Sequence, residues 1–190
     1  MQTIRLICSA IYIPYLLLYI FSDEKIELKE DINAQTFHLK QINKMPIFVK
    51  LLYLLKVDPY FHELFKYRCR KIKLRHLFIF KNKNFYIPLD TKIAGGVTYN
   101  HPFSTILNAK YIGKCIHIKN NTTIGNKNDD ENMRPIIGDN VYIGAGAIII
   151  GNIKVGNNVV IGAGAVVVTD VPDRAIIIGN PGRIIRYSEE

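Results

Sequence analysis

A beat of six residues runs through the C-terminal half of the chain and constrains its fold more than any other feature. Ile112, Ile118 and Ile124 fall six apart, and so do Ile137, Ile143, Ile149, Val155, Ile161 and Val167. Four residues after most of these comes a second small or apolar residue: Ile116, Thr122, Val141, Ala147, Ile153, Val159, Ala165 and Val171. Glycine often follows directly, at 113, 125, 138, 144, 156 and 162. Asn140, Gly146, Asn152, Asn158, Gly164 and Asp170 recur three residues on. Those last types tolerate a left-handed backbone at a corner. A six-residue period with a tight turn in each repeat describes a parallel β-helix, each repeat forming one flat side of a triangular prism.

Bulk properties bound the rest. A chain of 190 residues, 48% of them hydrophobic, has room for one domain or two small ones. The formal charge is +9, and it is uneven. Lys66, Arg68, Arg70, Lys71, Lys73, Arg75, Lys81 and Lys83 form one stretch without an acid. Such a run reads first as a solvated helix face, and second as a patch for anionic membrane or phosphate-bearing ligands. No nucleic-acid recognition motif accompanies it, so no nucleic-acid partner is expected. Cys8, Cys69 and Cys115 are scattered and odd in number, which fits free thiols in a reducing cytoplasm. Residues 4–21 are apolar but contain Arg5, Ser9 and Pro14, and fall short of a comfortable span. They read first as a buried or subunit-interface helix, second as a helix lying in the membrane surface, and last as a span or signal segment. The expected location is the cytoplasm, with peripheral contact at the inner face of the membrane through this region as an option.

Residues 1–86 carry helical signals. Pro46 opens a run through Leu55 as a first-turn proline, and Asp58-Pro59 caps a second helix reaching to about Arg75. The prism is expected over 87–190. Its register slips between Ile93 and Ile106, so the first coil is expected to be irregular, and the regular stack that follows to about Val171 is broken once: Ile124 and Ile137 are thirteen apart. The seven extra residues belong to a polar segment that leaves the prism as a loop over 126–135.

Three repeats make a coil, so residues eighteen apart stack once the loop is discounted. On that count Asn100, Ile118, Ile143 and Ile161 share a column, and His101 shares the next with Lys119, Gly144 and Gly162. Ala145 and Ala163 follow. A column of small residues with a histidine at its foot suits an extended thioester arm. With strands about 4.8 Å apart, His101 lies ~14 Å from Ala163. His101 is therefore the candidate general base, since imidazole is the side chain that takes up and releases protons most readily at neutral pH. The other reading of a histidine beside Pro102 is a structural hydrogen bond. The prism has only one other histidine, His117, and no metal centre is expected.

These residues resemble the hexapeptide-repeat acetyltransferases of the serine acetyltransferase type, especially relatives in bacterial surface-polysaccharide gene clusters. Lys92-Ile93-Ala94-Gly95-Gly96-Val97-Thr98-Tyr99-Asn100-His101 is similar to the segment ending in that family's catalytic histidine. Thr122-Thr123-Ile124-Gly125-Asn126-Lys127 resembles the turn into its cofactor loop. Ile143-Gly144-Ala145-Gly146-Ala147 and Ile161-Gly162-Ala163-Gly164-Ala165 resemble the repeats lining its coenzyme A groove. Val171-Pro172 with Gly179-Asn180-Pro181-Gly182-Arg183 resembles its closing motif, with Gly182 where alanine is usual. The likeness covers residues 85–187. It implies a mainly β fold, a left-handed β-helix behind an α-helical N-terminal region. It also implies a homotrimer that uses acetyl-CoA without a metal. On it, Asn126, Lys127, Gly144, Ala145, Gly162, Ala163, Arg183 and Arg186 would hold coenzyme A.

The departures bear on the acceptor. The family usually has Asp before its catalytic histidine, where this chain has Asn100. It usually has Arg-His-Pro after the loop, where this chain has Met133-Arg134-Pro135. A serine acceptor needs its ammonium and carboxylate paired, because unpaired buried charge is costly. A sugar hydroxyl needs no such pairing. The expected reaction is therefore O-acetylation of a saccharide, as in surface-polysaccharide biosynthesis, with Asn100, Arg134, Asp129 and Asp130 meeting the acceptor. Asp90, Asp129 or Asp130 would orient His101. Serine O-acetylation and a non-catalytic scaffold are the alternatives.

Overall fold

The structure is a computed structural model that describes residues 12–72, 84–128 and 130–189. Cys8, His76, Asp129, and half of the basic run (Lys73, Arg75, Lys81, Lys83) lie outside the described residues. The chain divides into two compact units, 1–82 and 83–190.

The first unit has four described helices: α1 (Ile13–Phe21), α2 (Lys25–Thr36), α3 (Ile47–Val57) and α4 (Phe61–Arg68). Pro46 stands at the N-cap of α3, as its fixed φ favours. Asp58 accepts hydrogen bonds at Oδ1 from the N–H groups of Tyr60 and Phe61 and so opens α4. The α4 helix stops at Arg68, short of the expected Arg75. The α2 helix is barely visible in sequence. It buries Leu28, Asp31, Ile32 and Thr36, one face of a helix, and Asp31 is fully enclosed.

The partner of Asp31 is Arg68, which donates from Nε to Oδ2 at 2.8 Å and from Nη1 to Glu24 at 3.2 Å. Arg68 is thus a core residue rather than part of a solvated face. Its neighbours Lys66, Arg70 and Lys71 pair with Glu63, Glu24 and Asp23. The described half of the basic run is matched by acids and forms no open anion patch. On α1, Tyr15, Leu18 and Tyr19 are buried, whereas Ile13, Leu17, Ile20 and Phe21 remain 49–71% exposed. No described helix is long and apolar enough to cross a membrane.

The second unit is a parallel β-helix with three faces. The first face stacks β1 (Phe85–Tyr86), β4 (Thr105–Leu107), β7 (Thr123–Gly125), β10 (Ile148–Ile150) and β13 (Val166–Val167). The second stacks β2 (Lys92–Ile93), β5 (Tyr111–Ile112), β8 (Ile136–Ile137) and β11 (Lys154–Val155). The third stacks β3 (Thr98–Asn100), β6 (His117–Lys119), β9 (Tyr142–Ile143), β12 (Val160–Ile161) and β14 (Ala175–Ile178), and ends on the antiparallel β15 (Arg183–Tyr187). The prism begins at β1, two residues before the expected start at 87.

The six-residue beat is the core. Ile112, Ile118, Ile124, Ile137, Ile143, Ile149 and Ile161 are wholly buried, each worth roughly 1.5–3 kcal/mol of apolar burial. The residues four places on are buried with them. At the corner between the second and third faces, side-chain oxygens replace the strand ladder. Asp139 accepts from the Lys114 N–H, Asn157 from Asp139, and Asp173 from Asn157, at 2.7–2.8 Å. A Cβ on Gly113, Gly138 or Gly156 would stand 2.3–2.7 Å from these oxygens, which accounts for glycine there. Asn140, Gly146, Asn158 and Gly164 take the expected positive φ; Asn152 and Asp170 do not, the turn after β10 being made by Gly151 at φ 104°.

The first coil departs from the beat. Ile93 pairs with Ile112 and Tyr99 with Ile118, nineteen apart. Tyr99 to Leu107 spans eight residues, and Leu107, not Ile106, turns inward to pair with Ile124. The two extra residues fall in the turn that contains His101.

Candidate active site

The corner between the third and first faces carries His101. Asn100 pairs with Lys119, so the nineteen-residue step moves His101 one place from its expected column. Asn100, Lys119, Gly144 and Gly162 share one column. His101 shares the next with Asn120, Ala145 and Ala163. The reason is the longer first turn, which strict eighteen-residue counting misses.

His101 is exposed and has φ 49°, and Ser104 in the same turn has φ 52°. Positive φ is usual at the corners of this prism, as at Cys115, Asn140, Asn158 and Arg174, but here two such residues stand within one turn. The Phe103 N–H donates to the His101 carbonyl at 2.8 Å, tightening the turn over the buried Pro102. Among the described residues no side chain hydrogen-bonds the imidazole. Two of its three expected orienting groups are engaged elsewhere. Asp90 pairs with Arg134, and Asp130 caps the 3-10 helix Glu131–Met133 by accepting from the Asn132 N–H at 2.9 Å. Asp129 lies outside the described residues.

Above His101 the corner is narrow and open. A Cβ on Gly144 would stand 2.5 Å from the Ala163 nitrogen, so the coils close here only over glycine. Ala145 is half-buried and Ala163 exposed. Gly146 and Gly164 donate to the carbonyls of Asn120 and Ala145, but the Ala145 and Ala163 N–H groups make no hydrogen bond among the described residues. Two open donors on successive coils suit the amide carbonyls of an extended pantetheine arm. Beyond Gly162 the column continues through Ile178 to Arg183, which pairs across the β14–β15 ladder. Arg186 pairs with Ile176 on the other edge of that face, away from this corner.

The remaining expected site residues lie at a different corner, between the first and second faces. Asn126, Lys127, Asp130 and Arg134 belong to the loop joining β7 to β8. Arg134, expected to reach toward an acceptor, bonds within its own chain. Its Nε donates to the Glu131 carbonyl at 2.8 Å, and its Nη1 donates to Asp90 Oδ2 at 2.5 Å and to Asn108 Oδ1 at 3.4 Å. Sequence reasoning missed Asn108 and the pairing of Asp90; neither belongs to a motif, and only stacking of coils brings them to Arg134. His117 faces outward on the third face, bonded through Nδ1 to Thr98 Oγ1 at 2.9 Å and stacked on Tyr142 at 5.1 Å. No group of three metal-ligating side chains occurs among the described residues.

Comparison with known proteins agrees with this architecture. Residues 134–169 match the family of bacterial transferase hexapeptide repeats (six repeats). The chain is 42% identical over 100 residues to serine acetyltransferase 1, chloroplastic, of Arabidopsis thaliana, covering 52% of this chain and 32% of that protein. It is 40% identical over 88 residues to WcaB of Escherichia coli (strain K12), named provisionally a colanic acid biosynthesis acetyltransferase, covering 46% of this chain and 54% of that one. The chain thus spans about a third to about half of the length of these curated relatives. The soybean serine acetyltransferase complexed with serine has the same fold, with a TM-score of 0.68 at 27% identity over 85% of this chain and 69% of that one. The chain is thus similar to the bacterial transferase hexapeptide family over residues 134–169 and to serine acetyltransferases over about half of its own length.

Proposed function

From that similarity, we propose that the chain is an acetyltransferase that moves the acetyl group of acetyl-CoA onto a hydroxyl of a saccharide. The observation that carries the reading is the His101 corner: an exposed imidazole on a left-handed turn, at the foot of open N–H groups on Ala145 and Ala163. When bound, acetyl-CoA supplies a thioester carbonyl. His101 accepts the proton of the acceptor hydroxyl as that oxygen attacks, and returns a proton to the departing thiolate. Backbone N–H groups stabilise the oxyanion between those steps. Gly144, Ala145, Gly162 and Ala163 would flank the arm, with Arg183 near the phosphates at the far end of the column. Asn126 and Lys127 would approach from the loop.

The acceptor is inferred from the departures. Asn100, beside His101, is an uncharged amide where the serine enzymes usually have Asp, and Arg134 is occupied by Asp90. Both support a neutral hydroxyl acceptor, and the name of the Escherichia coli relative, a colanic acid biosynthesis acetyltransferase, favours a saccharide of surface-polysaccharide biosynthesis. The second reading is serine O-acetylation, favoured by the names of the Arabidopsis and soybean relatives. A coenzyme A release assay with a panel of sugars, free and nucleotide-linked, against L-serine separates them. Turnover of a saccharide with little on L-serine is expected. Efficient L-serine turnover, comparable with the best sugar, would restore the second reading.

A further inference from the structure

We propose that Arg134 and Asp90 together clamp the inserted loop, so that Arg134 is a positioning residue for donor binding rather than a ligand of the acceptor. The proposal rests on the acetyltransferase reading for its kinetic consequence, not for its structural one. The loop over 126–134 is polar, and most of its described residues are exposed. It therefore has little apolar surface to hold it against the prism. What holds it is a chain of side chains at its neck. Asn108, one coil earlier at the same corner, donates from Nδ2 to Asn126 Oδ1 at 3.3 Å and accepts at Oδ1 from Arg134 Nη1 at 3.4 Å. One amide thus bridges both roots of the loop. Arg134 then reaches past it to Asp90, in the turn between β1 and β2, a further coil away. Inside the loop, Lys127 N–H donates to the Met133 carbonyl, and Met133 N–H to that of Asp130.

The chemistry needs arginine. Only a guanidinium presents Nε to Glu131 while the same planar fork meets Asp90 and Asn108. The Arg134 side chain is 14% exposed, against 57% for Asp90. A loop already ordered before binding spares the ligand the entropy of ordering it, and that gain appears in KM rather than kcat. Asp90, mostly exposed and remote from the His101 corner, should then affect the same parameter as Arg134. An acceptor-binding role for Arg134 makes no such demand on Asp90.

The test uses the full chain with Arg134→Ala, Asp90→Ala, the double variant and Arg134→Lys. Steady-state kinetics are measured with acetyl-CoA and the best acceptor, and hydrogen exchange is followed at the amides of 127–133 in the ligand-free protein. Each single alanine variant should raise KM for acetyl-CoA about 5- to 10-fold, the effect of losing one charge-assisted contact, with kcat within about twofold. The double variant should be no worse than either single, because the two residues act as one unit. Arg134→Lys should recover little. Loop amides should exchange faster in both singles and to a similar extent. If Arg134→Ala raises KM only for the acceptor and Asp90→Ala does nothing, Arg134 touches the acceptor and the clamp is wrong. Unchanged loop exchange in both singles also overturns it. If the unaltered chain transfers no acetyl group, the proposed function fails, and the exchange measurement still decides the clamp.

Discussion

His101 is exposed, its imidazole meets no hydrogen-bonding side chain among the described residues, and its turn is two residues longer than the repeat around it. A structural histidine would show a partner, as His117 does with Thr98 and Tyr142. His101→Ala should therefore lower kcat by roughly 10²–10⁴-fold, the range for a lost general base, while calorimetry shows coenzyme A binding nearly unchanged. His117→Ala should instead lower stability by about 1 kcal/mol through loss of its stack, with turnover largely kept. The reverse order of damage would move the base to His117. A third histidine has a different consequence. His62 is buried in α4, donates from Nε2 to the Leu55 carbonyl at 2.8 Å, and packs edge-on against Tyr15. Burial lowers its pKa below the ordinary 6.5. The unfolded chain therefore takes up this proton first as pH falls. Stability from His62 is full above about pH 6.5 and is lost as pH falls toward the depressed folded value. Thermal melts between pH 7.5 and 5.5 should show this decline, and His62→Gln should flatten it; an unaltered slope would assign the decline to another group.

At the scale of the elements, the corners decide which substitutions the prism accepts. Gly156→Ala would place a Cβ 2.3 Å from Asp173 Oδ1 and 2.6 Å from the Asp173 nitrogen, and should cost roughly 1–3 kcal/mol by denaturant unfolding. Ala163→Trp, by contrast, projects from an exposed position at the His101 corner. It should leave the melting temperature nearly unchanged while abolishing coenzyme A binding, and retained affinity would put the cofactor at another corner. Much of this was legible in the chain because inward residues repeat every six, and a one-residue error would turn the core outward. The beat therefore identifies the core from Ile112 to Val171 residue by residue. It fails in the first coil, where eight residues separate Tyr99 from Leu107 and a histidine and a serine turn the chain without glycine. That is why the column of His101 shifts by one. It is silent on Asp90, Asn108 and Arg134, whose meeting depends on vertical stacking of turns rather than on any local pattern. The α2 helix has a weak sequence signal for a related reason: its buried face includes Asp31, whose burial depends on Arg68, 37 residues away.

At the scale of the whole molecule, the proposed site is divided within one protomer. His101, Ala145 and Ala163 occupy the corner between the third and first faces, whereas Asn126 and Lys127 leave the corner between the first and second. The first face lies between them, a six-residue side of at most about 20 Å at strand rise. The loop neck is fixed to its own corner by Arg134 and Asp90. Along that intervening face, Tyr86, Ile106, Ile148 and Val168 are 37–58% exposed, an apolar strip suited to a second copy of the chain. A cyclic homotrimer would bring the loop of one protomer to the His101 corner of its neighbour and cover the strip. Light scattering at micromolar concentration should give three times the chain mass. A sharper test is complementation. A chain with His101→Ala keeps its loop, and a chain lacking residues 127–133 keeps His101, so each should be nearly inactive alone. Refolded together, a mixed trimer of either composition contains one interface that joins an intact His101 corner to an intact loop. Activity should therefore recover to as much as about a third of the unaltered level in mixed trimers, one site in three under cyclic symmetry. If histidine and loop serve the same protomer, every mixed trimer stays inactive, and the divided site is wrong.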